Sequence, residues 1–124
     1  MLNYRAAFVL AASAVLALSG SGAALAHAQL KTATPAVGGA VPEAPTEVTL
    51  NFSEKLEASF STAVVRDAVG KRVNKADAQL DKADRTIMRV GVDQLTPGIY
   101  IVEWRALTAD THKTEGAFIF RVGQ

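Results

Sequence analysis

From residue 47 to the C-terminus, apolar and polar residues alternate in short stretches. Glu47 to Ser53 sets Val48, Leu50 and Phe52 against Glu47, Thr49 and Asn51, and Thr62 to Arg66 is β-branched and apolar. Thr86 to Val92 contributes Ile87, Met88, Val90 and Val92. Gly98 to Ala106 places Tyr100, Val102, Trp104 and Ala106 on one face and Glu103 and Arg105 on the other, and Gly116 to Val122 aligns Phe118, Phe120 and Val122. Side chains along a strand alternate between its two faces, so each stretch predicts a half-buried strand. Turn signals separate the stretches: Thr34-Pro35, Gly38-Gly39, Pro42, Pro45, Asp67 to Gly70, and Thr96-Pro97-Gly98, whose Pro then Gly suits a type II turn. Six or seven short strands with such turns predict an all-β fold, a single antiparallel Greek-key β-sandwich. Lys71 to Arg85 has the composition of a helix but only Val73, Ala76 and Leu80 as an apolar stripe. That stripe is too sparse for a packed helix, and the segment is expected to be a polar excursion with one helical turn at most.

Residues 1–26 do not share this pattern. One charge, Arg5, precedes an apolar run from Ala6 to Leu18 and then Ser19-Gly20-Ser21-Gly22, the layout of a cleaved secretory signal peptide. A retained anchor is the competing reading, disfavoured because the run is short for a span and ends at once in Ser and Gly. Two small-x-small sites are present. Cleavage after Ala24-Leu25-Ala26 releases a chain starting at His27, and cleavage after Ala26-His27-Ala28 releases one starting at Gln29. The first choice divides the protein into a leader, 1–26, and one domain, 27–124, exported to the periplasm or beyond. That domain holds 12 Lys plus Arg against 12 Asp plus Glu, with signs scattered, so no basic face for nucleic acid is expected. The chain has no cysteine, which excludes disulfides, thiolate metal sites and blue copper.

Candidate chemistry is confined to a few residues. The only histidines are His27 and His112. Asp110 and His112 form Asp-x-His directly after the longest apolar strand, and residues two apart in extended chain reach the same side. A histidine at a chain start offers two adjacent ligands, its α-amine and its imidazole. Together with Asp110 and His112 it would supply three nitrogens and one oxygen, a set that suits tetragonal Cu(II), though Zn(II) or Ni(II) would also accept it. Soft Cu(I) is not expected with Met88 as the sole methionine after the leader. Asp-x-His alone is more often an ordinary loop hydrogen bond.

The blocks His27-Ala28-Gln29-Leu30, Ala33-Thr34-Pro35-Ala36, Leu50 to Leu56, Leu95-Thr96-Pro97-Gly98 with Tyr100, and Trp104-Arg105 leading to Asp110-Thr111-His112 and Gly116 resemble the CopC/PcoC-type periplasmic copper-binding proteins. The resemblance spans residues 27–124. It implies cleavage before His27, a cupredoxin-like or immunoglobulin-like sandwich, and Cu(II) held by the His27 amine and imidazole, Asp110 and His112. It also implies a CopD-like inner-membrane partner and a place for Glu54, which matches an acidic position of the family, beside the metal ligands. Two departures qualify it: the methionine-rich Cu(I) site of well-known members is missing, and Lys113 stands where many relatives have proline. The expectation is a Cu(II)-only, monomeric, non-enzymatic carrier or buffer. The alternatives are a copper-dependent oxidase or monooxygenase and a metal-free structural sandwich.

Overall fold

The computed structural model of the chain describes residues 28–123. Among them there are eight strands and no α-helix: β1 Leu30–Thr34, β2 Ala40–Val41, β3 Glu47–Phe52, β4 Thr62–Asp67, β5 Gln79–Leu80, β6 Ile87–Gly91, β7 Gly98–Leu107 and β8 Lys113–Val122. They form two four-stranded sheets, ordered β1-β3-β6-β5 and β2-β8-β7-β4. The chain passes repeatedly from one sheet to the other, and only β5–β6 and β7–β8 are consecutive neighbours within a sheet. This is the sandwich that the alternation predicts. All pairings are antiparallel except that of β2 with β8, a parallel pair of two residues.

Period two translates directly into burial. In β7, Tyr100, Val102, Trp104 and Ala106 face inward while Glu103 and Arg105 face out, and Phe118, Phe120 and Val122 of β8 lie opposite. Val48, Leu50, Met88, Val65, Val90, Val102 and Phe120 are completely or almost completely enclosed between the sheets. Phe52 meets Trp104 edge-on with ring centroids 5.1 Å apart, so an aromatic pair ties one sheet to the other. Gly116 lies opposite Trp104 in the β7–β8 ladder, and a Cβ there would fall 2.7 Å from the indole.

Three strands escape the hydrophobic pattern. In β1 the register shifts between Leu30 and Thr32, so the two residues packed on the core, Leu30 and Ala33, are three apart rather than two. β2 and β5 have two residues each and carry no period. The Lys71 to Arg85 segment contains no helical turn; it runs beside the strands through β5 and the bridges Arg66–Arg72 and Asn74–Val92. The only helical turn among the described residues is 3-10, at Ala58–Phe60, where no sequence signal marks it.

Candidate metal site

β7 and β8 are the two longest strands, and their last pair is Leu107 with Lys113. Residues 108–112 therefore form the hairpin loop, and it contains the Asp-x-His motif. The loop closes on itself: the Thr108 N–H donates to the His112 carbonyl at 3.0 Å and the Thr111 N–H to the Thr108 carbonyl at 2.9 Å. Thr111 takes φ +72° to complete the bend. Neighbouring chain clamps the base of the loop. Leu56 bridges Thr108, the Glu57 N–H donates to the Leu107 carbonyl, and the Leu107 N–H donates to the Ser61 hydroxyl at 3.0 Å.

The two side chains of the motif meet, but through the bend at Thr111 and not by the alternation of extended chain on which the expectation rested. His112 Nδ1 lies 3.1 Å from Asp110 Oδ1 at the end of the sandwich, with the His112 side chain about half exposed and that of Asp110 mostly so. The Thr108 hydroxyl and then the His112 ring hold the Asp110 carboxyl below the usual carboxylate range, so the group stays ionised into more acidic solution than an isolated aspartate. Two donor atoms bound at right angles to one metal, each about 2.0–2.1 Å from it, are about 2.9 Å apart. The Asp110–His112 separation therefore matches one edge of a coordination square. In the metal-free protein the same separation is a hydrogen bond.

One edge does not make a site, and among the described residues no three His, Cys, Asp or Glu side chains converge to hold a metal. His27 lies outside the described residues. Ala28, the residue attached to it, is fully buried, and its carbonyl accepts a hydrogen bond of 2.9 Å from the Thr114 hydroxyl, two residues beyond His112. Gln29 is fixed as well, its N–H donating to the Ser53 hydroxyl and its carbonyl accepting from the Ser53 N–H, both at 2.9 Å. Residues 28–29 are thus fastened beside the loop. Glu54 lines a shallow cleft with Ser53, Lys55, Thr86, Thr108, Ala109 and Asp110, at the same end of the molecule. Arg105 is exposed on the outer face of β7 and pairs with Glu115 at 3.5 Å.

The residues that hold the motif are threonines. Thr108 is 3% exposed, and its hydroxyl donates to Asp110 Oδ1 while accepting from the His112 N–H at 3.2 Å. A threonine opening a turn, with partners two and four residues on, is a local motif visible in Thr108-Ala109-Asp110-Thr111-His112, though sequence reasoning passed over it. Thr114 could not have been found in this way, since its partner Ala28 is 86 residues distant.

Residues 30–123 match the family model of the CopC domain. Protein YobA of Escherichia coli K12 is 37% identical over 98 residues, covering 78% of this chain and 79% of YobA. Copper resistance protein C of Pseudomonas syringae pv. tomato is 34% identical over 128 residues, covering 98% of this chain and 99% of that protein. Among solved structures, PcoC, a methionine-rich copper resistance protein from E. coli, superimposes with a TM-score of 0.67 at 35% identity, covering 78% of this chain and 99% of PcoC. With the fold, the hairpin and these relatives in agreement, the chain belongs to the CopC family.

Proposed function

We propose that this protein binds Cu(II) in the periplasm through the α-amine and imidazole of His27, Asp110 and His112, after a signal peptide is cut before His27. The observation that carries this reading is the anchoring of Ala28 on Thr114, which delivers the start of the domain to the hairpin loop where Asp110 and His112 already span one edge of a square. The donor set of three nitrogens and one carboxylate oxygen favours Cu(II), and the chain's two methionines, Met1 and Met88, give a Cu(I) site nothing to use, Met88 being fully buried. Glu54 acts from the adjoining cleft as a hydrogen-bond partner of the site. The names of the relatives support a role in copper resistance. In this reading the protein is a monomeric carrier or buffer that turns over no substrate and hands its ion to a CopD-like inner-membrane protein.

Titration of the exported protein with Cu(II), its N-terminus fixed by mass measurement, tests the assignment. A mass corresponding to a start at His27, tight binding of one Cu(II), and loss of that binding in His112→Ala are expected. A start at Gln29, or binding indifferent to His112→Ala, overturns it. Affinity falls between pH 7 and pH 5. Asp110, with its lowered pKa, remains a carboxylate through that window. The α-amine, with an ordinary pKa of ~7.7–8.0, must release a proton to bind and does so at increasing cost as pH drops. Peroxide formation that requires a reductant and exceeds free-copper controls would instead indicate an oxidase.

A further inference from the structure

We propose that Thr108 is the positioning residue of the copper site, its single buried hydroxyl setting the separation of the Asp110 carboxylate from His112. The inference rests on the assignment of Asp110 and His112 as ligands and adds the group that holds them in place.

A hydroxyl has one proton to donate and lone pairs to accept with. In Thr108 the proton goes to Asp110 Oδ1 and a lone pair receives the His112 N–H, so one atom joins the side chain of one ligand to the main chain of the other. Thr108 itself cannot drift. The residue is 3% exposed, its N–H is bonded to the His112 carbonyl, and its backbone bridges Leu56, which is fully buried. Asp110 by contrast is mostly exposed and has a free choice of rotamer unless something restrains it. The Thr108 hydroxyl is that restraint. It occupies one lone pair of Oδ1 and leaves the carboxylate turned so that the same oxygen faces His112 Nδ1. An Asp-x-His without it would have the ligands but not their spacing, and Cu(II), which prefers a fixed tetragonal arrangement, would bind less tightly.

The test compares Thr108→Val, which keeps the shape and removes the hydroxyl, with Thr108→Ser, which keeps the hydroxyl and removes a methyl. Each exported variant is titrated with Cu(II) and its copper EPR spectrum recorded, with near-UV circular dichroism of the metal-free protein as the check on folding. The expected result is a loss of affinity of about 10–100-fold and altered copper hyperfine splitting in Thr108→Val, with both restored in Thr108→Ser. Thr108→Ala gives the same comparison should the valine variant not fold. Unchanged affinity and an unchanged spectrum in a folded variant without the hydroxyl overturn the proposal. Titration of His112→Ala alongside identifies which claim has failed: loss there with none at Thr108 removes the positioning role alone, and no loss at either position removes the ligand assignment with it.

Discussion

Thr111 adopts φ +72°, in the left-handed region where a β-branched residue is strained by its own Cβ. The bend it completes is the one that lets His112 return towards Asp110, so the loop holds local strain at the point where these two side chains meet. Glycine would relieve this strain of ~1–2 kcal/mol and give back ~0.4–1 kcal/mol through a freer unfolded chain. Thr111→Gly is therefore expected to stabilise the protein by about 0.5–1 kcal/mol, read as a higher urea midpoint with an unchanged slope. At this scale the sequence was partly legible. Asp-x-His could be seen because its two residues are close in sequence, although a bend at Thr111 and not an extended segment brings them together. Thr108 looked like any loop threonine, since nothing in a linear sequence says that its hydroxyl is buried or that both partners lie within the loop.

Strands were legible in proportion to their length and regularity. β7 and β8 repeat an inward residue at every second position over ten residues, and both the faces and the aromatic core follow from that repeat. β1 hides because its bulge stretches the inward spacing from two residues to three, which resembles noise in a pattern of period two. The excursion after β4 hides because its order comes from side chains and single bridges, such as the Asn74 carboxamide accepting from the Val65 N–H, and not from an apolar stripe. The β7–β8 ladder also carries a packing requirement that alternation alone does not reveal. Gly116 stands where Trp104 needs the room, and a methyl at 2.7 Å from the indole must displace it from its contact with Phe52. Gly116→Ala is expected to lose about 1–3 kcal/mol, the usual penalty of overpacking, with a changed near-UV signal from the single tryptophan.

Across the whole molecule, stability comes from one core shared by the two sheets, without a disulfide to constrain the unfolded chain. A ligand that binds only the folded form adds to that stability by mass action, about 2.7 kcal/mol when its free concentration is a hundred times the dissociation constant. Cu(II) is thus expected to raise the melting temperature of the exported protein, and to leave that of His112→Ala where it was, as differential scanning calorimetry would show. Fold class was the most legible feature, because alternation and turns both act locally and agree. The meeting of Ala28 with β8 was the least legible, since it depends on the hydrogen bond from Thr114 to Ala28 across 86 residues. That bond closes a long stretch of chain. Closing a loop of that length costs chain entropy before the contact can repay it, so Ala28 is held only once β8 has joined its sheet. Until β8 is placed, the Ala28 segment and the hairpin that carries Asp110 and His112 are held apart, and a single late contact joins them.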